Sequence, residues 1–189
     1  TAGVEAWLRR PDTRGALWLH GKARGGRTTA VGAAIRRGLV ENATFAPRGV
    51  KRVACFAGMC MEEVLDELNH FLAKVGCDSL GRVLDQRAFL CSRIAVLLEA
   101  IKEHSLLIWL DDVDELCRSP LEAGRGAEPV RYFLEGCRTL RGTRTRIIFT
   151  SEVECPVPDL DTSEVPVLGP MAAGRIWSES GGPPELPPD

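Results

Sequence analysis

The sequence predicts an α/β protein, a three-layer α/β/α sandwich built on a mostly parallel five-stranded sheet. Three observations carry this. Short, continuously apolar runs alternate with longer stretches of helical periodicity. Strands that are apolar throughout belong to parallel sheets covered on both faces, and right-handed crossovers then set helices on either side. The length, 189 residues, suits one domain of this kind.

The elements follow in order. Residues 16–20, ALWLH, are a buried strand that ends in a glycine-rich turn. Residues 27–40 carry small and apolar side chains at helical spacing. Residues 51–57, KRVACFA, read as a second strand. Over 61–76, Val64, Leu65, Leu68, Phe71, Leu72 and Val75 form a helical stripe, and Gly76 ends it. A longer amphipathic helix is predicted over 81–105. The third strand, SLLIWLDD at 105–112, is apolar and then abruptly acidic. A polar stretch at 119–129 precedes a helix over 130–140. Residues 144–152 are the fourth strand, 163–169 a short fifth, and 171–180 a last short helix. We divide the chain into a lead-in (1–15), the main domain (16–180) and a proline-rich tail (181–189). The opening, TAGVEAWLRRP, has no methionine, which suggests a mature fragment or a segment of a longer protein.

Composition excludes several classes. Acidic and basic residues nearly cancel, 26 against 24, so no bulk field favours nucleic acid or an anionic membrane. The longest apolar runs are too short to cross a bilayer. The seven cysteines (Cys55, Cys60, Cys77, Cys91, Cys117, Cys137 and Cys155) are odd in number and contain no C-x-x-C pair, which argues against a disulfide framework or a zinc site. Most lie in apolar stretches and read as small buried hydrophobes in a reducing, cytoplasmic setting. A redox-sensing thiol, the alternative, would need an exposed cysteine of low pKa.

Two motifs carry chemistry. Gly21 and Gly26 are five residues apart, and Gly26 is followed by Arg27, Thr28 and Thr29. The template is G-x-x-x-x-G-K-[ST] between a strand and a helix. Glycines, here Gly21, Gly25 and Gly26, let backbone N–H groups converge on phosphate oxygens, and the helix starting at Arg27 points its positive end at the same anions. Thr28 is the expected hydroxyl ligand of Mg²⁺. The template's lysine is replaced by Arg27, which keeps the charge and changes its geometry. Phosphate binding can survive that change while tightly positioned catalysis weakens. Lys22 and Arg24 could add charge, though both are expected to point to solvent.

The second motif is LLIWLDDVDEL. One carboxylate of such a strand end holds Mg²⁺ and another orients the attacking water. Asp111 is the candidate metal partner and Asp112 the candidate catalytic group. Asp114 and Glu115 could substitute or cap the next segment. Acidic residues also end strands for purely structural reasons, but an adjacent pair at the edge where Thr28 is expected is more specific.

Together these motifs resemble the STAND class of P-loop NTPases, which includes the NB-ARC and NACHT switches of immunity and cell-death proteins. The resemblance rests on GGRTT after the first strand, on LLIWLDDVDEL, and on RIIFTSE as the sensor strand. It implies Thr150 and Ser151 as sensor hydroxyls. It further implies a leucine-proline-like element at VPVLGPM and an adenine-proximal proline, Pro184, in GGPPEL. The class's N-terminal adenine-contacting segment would precede residue 16, where AGVEAWLRRP is a faint match. The chain departs from the class at Arg27 and at Glu152, which stands where an arginine would meet the γ-phosphate. An acid there repels phosphate. The resemblance implies a nucleotide-dependent signalling switch that binds ATP or GTP with Mg²⁺, hydrolyses it weakly or not at all, and works with other protein domains or chains. The alternative is an inactive scaffold that assembles proteins without nucleotide. A small-molecule kinase ranks last, because no arginine-rich lid follows the acidic strand.

Elsewhere, His20 reads as a strand-end residue, and His70 and His104 as structural. Trp18 and Trp109 are expected in the core. Arg141, Arg144 and Arg146 read as a solvated basic loop.

Overall fold

Alternation along each strand decides which side chains go to which face of the sheet. In the computed structural model, which describes residues 2–10, 15–23, 25–41, 46–77, 89–118 and 128–165, that alternation produces two separate cores. Strand β1 (Ala16–His20) sends Ala16 and Trp18 to one face and Leu17 and Leu19 to the other. Strand β3 (Leu106–Asp111) does the same with Leu106, Ile108 and Leu110 against Leu107 and Trp109. In β4 (Arg146–Ser151), Ile147 and Phe149 oppose Ile148.

The larger core is covered by α3 (Met61–Lys74), α4 (Leu90–Lys102) and α6 (Glu128–Gly136), the last continued by a 3₁₀ turn (Cys137–Leu140). The smaller is covered by α1 (Ala2–Arg9), through Val4, Trp7 and Leu8, and by α2 (Arg27–Glu41), through Val31, Ala34 and Ile35. The result is the α/β/α sandwich that the sequence predicts. The first residues, read from sequence only as a lead-in, form a packed helix whose Trp7 Nε1 donates to Asp161 Oδ2 at 2.8 Å.

The sheet order is β2-β3-β4-β1-β5, with β2 spanning Gly49–Ala54 and β5 Asp161–Glu164, and all four pairings are parallel. Strand β4 therefore lies between β1 and β3. Two inter-strand spacings, roughly 10 Å, separate the strand that feeds the glycine loop from the strand that ends in aspartates. The connection after β1 leaves by α2 on one face, while the helices α3, α4 and α6 lie on the other. Ligand crevices of open α/β sheets form at such a switch point.

Boundaries differ from the sequence reading in places. The fifth strand is Asp161–Glu164, where 163–169 was expected, because Leu17–His20 of β1 pair with Asp161–Glu164. The fourth helix begins at Leu90, and residues 78–88 lie outside the described residues. A short helix, α5 (Asp114–Arg118), follows the acidic strand end. Arg146 is not part of a solvated loop. It is buried at the start of β4, with guanidinium bonds to the carbonyls of Thr143 at 2.7 Å and Thr145 at 3.2 Å. The predicted helix over 171–180, the VPVLGPM element beyond Val165, and Pro184 also lie outside the described residues.

Candidate functional site

The turn between β1 and α2 is built around glycines that no other residue can replace without strain. Gly26 has φ 79°, a conformation that costs a side-chain-bearing residue and is free to glycine. A Cβ on Gly21 would come within 2.7 Å of the Val165 carbonyl oxygen, which lies just beyond the edge strand β5. The turn therefore carries its backbone tight against the sheet edge and delivers Arg27 and Thr28 as the first residues of α2. Lys22 is exposed, as expected, and Arg24 lies outside the described residues.

Opposite this turn stands Asp111, 1% exposed. Thr28 Oγ1 lies 3.1 Å from each of its carboxylate oxygens and donates to them. Thr150, from the intervening strand β4, donates its hydroxyl to Asp111 Oδ1 at 2.5 Å and accepts the backbone N–H of Asp112 at 2.9 Å. Arg52, from the edge strand β2, donates to Asp111 Oδ2 at 2.6 Å. Three elements besides its own strand thus hold one buried carboxylate. The turn and the acidic strand end face each other across a cavity of about 340 Å³, lined by Gly25, Gly26, Arg27, Thr28, Thr29 and Asp112.

Asp112 leaves the strand with φ 56°. This left-handed conformation is uncommon outside glycine and tends to mark functional sites. It turns the carboxylate back toward the cradle, where Oδ1 meets Arg27 Nη2 at 3.2 Å. Arg27 is 7% exposed, and its other terminal nitrogen donates to the Gly21 carbonyl at 2.6 Å. Glu152 Oε1 lies 3.8 Å from Arg27 Nη2. Arg27 and Glu152, the two departures from the pattern of the class that the sequence resembles, therefore lie side by side. Glu152 is positioned in turn by its backbone N–H, which donates to the buried carboxylate of Asp114 at 3.1 Å.

Burial and the neighbouring Asp111 carboxylate push the Asp112 carboxyl above the ordinary aspartate range, with Arg27 pulling it down and Asp114 and Glu152 adding to the rise. A carboxyl whose folded value is raised keeps its proton to higher pH than in the unfolded chain, so its ionised form detracts from stability at neutral pH. That penalty is absent below the unfolded value, about 4. Asp112→Asn, whose side chain tolerates the left-handed backbone, is expected to raise the melting temperature at pH 7. The gain should shrink to nothing as pH falls through the carboxylate range. Thermal melts of both proteins across that range check it, and a variant less stable than the parent at pH 7 would refute it.

The other expected residues divide. Thr29 is exposed and lines the cavity. Ser151 is buried, and its Oγ accepts the N–H of Val153 at 3.1 Å; it organises the turn after β4, while Thr150, of the two hydroxyls expected as sensors, bonds Asp111. His20 ends β1, and its carbonyl accepts the N–H of Val165. Trp18 is buried, with Nε1 donating to the Val153 carbonyl at 3.0 Å. Sequence reasoning missed Arg52. Its signal is a basic residue within an apolar strand, and it becomes readable only once β2 is known to lie beside β3, where Arg52 is in register with Trp109 and Ala54 with Asp111.

The donor set fits a divalent cation in kind: Thr28 and Asp111 bring a hydroxyl and a carboxylate together beside the glycine turn, the pair P-loop proteins use. Arg52 already neutralises one oxygen of that carboxylate.

No protein-family model matches the chain, and no curated protein matches it. Solved structures do. The chain is similar to the STAND protein with a tetratricopeptide repeat sensor from Pyrococcus horikoshii, at TM-score 0.60 and 16% identity over 95% of this chain and 25% of that one. It is also similar to C. elegans PCH-2, at TM-score 0.51 and 14% identity over 95% and 45%. A third likeness is to a chain of Drosophila ORC bound to DNA, at TM-score 0.53 and 13% identity, again over 95% and 45%. The chain thus spans between a quarter and just under half of these proteins' lengths. At these identities the likeness is one of fold, the α/β/α sandwich of P-loop type that this chain shares with the STAND protein.

Proposed function

We propose that the chain is a STAND-like nucleotide-binding switch domain whose turn at Gly21–Thr29 takes the phosphates of ATP or GTP, and whose hydrolysis is weak or absent. The observation that carries this reading is the direct contact between Thr28 and Asp111 beside the cavity that Thr28 lines at the β1–α2 turn. Backbone N–H groups at the start of α2 would hold phosphate oxygens, and Arg27 would exchange a carboxylate partner for phosphate. Thr28 and Asp111 would hold Mg²⁺, which when bound neutralises phosphate charge.

The same residues argue for slow chemistry. Asp112, the proposed group for orienting a water, is engaged by Arg27. Glu152 presents a negative charge beside Arg27, where a developing phosphate charge needs a cation. A domain that holds nucleotide without turning it over serves as a switch, with the bound state favouring one arrangement of attached domains or partner chains. Cys55, Cys60, Cys77, Cys91, Cys137 and Cys155 are free thiols, in keeping with a cytoplasmic role; among the described residues no helix is long and apolar enough to cross a membrane.

The buried Arg27 network supports a second reading, a scaffold that assembles proteins with the cradle closed by its own arginine. Calorimetric titration of Mg-ATP and Mg-GTP into the purified chain, with phosphate release measured in parallel, separates the two. Saturable heat with turnover near background is the expected result. No heat at millimolar nucleotide would replace the switch with the scaffold.

A further inference from the structure

Asp111 is served by a cation that belongs to the protein. Arg52 Nη2 lies 2.6 Å from Asp111 Oδ2, and the guanidinium carbon sits 4.7 Å from the centre of the Trp109 ring. Asp111 itself is almost wholly buried, whereas the Arg52 side chain is 49% exposed. Its strand, β2, is the edge of the sheet. Half exposed, the guanidinium can leave the carboxylate while remaining over the indole face, where a cation is still favoured.

We infer that Arg52 is a built-in counter-ion that competes with a divalent cation for Asp111. Metal loading at the Thr28–Asp111 pair and release of Arg52 from Asp111 are then one event. Bound to both Thr hydroxyls and to Arg52, Asp111 offers an incoming metal no unpaired charge. With Arg52 withdrawn, one oxygen becomes available, and Thr28 can turn its lone pairs outward. The exposed arginine is the mobile member because its other support, Trp109, holds it through the ring face alone. The inference rests on the reading of Thr28 and Asp111 as the metal pair.

The test uses Mn²⁺ alone as probe, without nucleotide, on the full 189-residue chain. Free Mn²⁺ is followed by its electron paramagnetic resonance signal for the parent and for Arg52→Gln. Loss of a charge-assisted partner should tighten Mn²⁺ binding by about tenfold. Adding Asp111→Asn should erase the gain; Thr28→Val serves the same purpose if that variant does not fold. Tryptophan emission supplies a second readout. Mn²⁺ should change it in the parent, where Arg52 moves against Trp109, and much less in Arg52→Gln or in Trp109→Phe.

Equal affinities in parent and Arg52→Gln, weaker binding in the variant, or no binding by the variant would each overturn the inference. Its fate is separable from that of the nucleotide reading. Heat from Mg-ATP with equal Mn²⁺ affinities defeats the counter-ion alone. A gain in Mn²⁺ affinity without any heat from nucleotide defeats the switch alone.

Discussion

Arg27→Ala is expected to weaken Mg-ATP binding at least about 100-fold and to lower stability by about 2 kcal/mol. Arg27 is buried and joins the glycine turn to two other segments, through Gly21 within the turn, Asp112 at the end of β3 and Glu152 after β4. Without it, Asp112 and Glu152 lose the guanidinium that lies near both, and the cradle faces an arriving polyphosphate with more negative charge. The carbonyl of Gly21 also loses its charged donor. At this chain length, 2 kcal/mol corresponds to a fall in melting temperature of about 4–8 °C. Calorimetry reads the affinity and a thermal melt the stability. Arg27→Lys should fall between parent and alanine, because an ammonium keeps the charge but cannot span Gly21 and Asp112 with separate nitrogens. Binding and melting both unchanged in Arg27→Ala would mean that the network is ornamental.

Asp111→Ala should cost about 3 kcal/mol, the lower end of what removing one partner from a buried charged network costs. The lower end applies because Arg52 is half exposed and regains water, whereas Thr150 is fully buried. The Thr150 hydroxyl would keep the N–H of Asp112 as a donor to it but lose its own acceptor. Thr28 would lose both contacts to the opposite strand. A fall of about 6–12 °C in melting temperature is expected, and denaturant unfolding at constant slope would confirm that stability, not cooperativity, has changed. Asp111→Asn should lose less, since its carbonyl still accepts from Thr150. A loss below about 1 kcal/mol for alanine would show that the hydroxyls find other acceptors and that Asp111 is not the centre of the site.

How much of this was readable beforehand differs residue by residue. The strand from Leu106 to Asp111 and the glycine turn before Arg27 were legible because each is written in a local pattern: an unbroken apolar run, a spacing of glycines, an abrupt change to acid. The helix over Met61–Lys74 was legible for the same reason, with an apolar stripe at helical spacing, Glu63 accepting the N–H of Cys60 at its start, and Gly76 at φ 78° at its end. Strand β5 was placed late because its alternating polar residues carry little apolar signal, and its position is set by pairing with β1. Glu152 read as an acid that repels phosphate. Its nearness to Arg27 could not be seen, because the two are joined only through the order of strands.

The sequence alone thus determined the layered α/β class, the turn that opens α2, and the acidic end of the third strand, since periodicity, glycine conformation and charge contrast act over a few neighbouring residues. Tertiary structure decided that β4 stands between β1 and β3, that Thr28, Thr150 and Arg52 converge on Asp111, and that Arg27 is shared between Asp112 and Glu152. Those outcomes depend on which strands hydrogen-bond side by side. That choice is made by the packing of all three layers together and leaves no mark in any single stretch of chain.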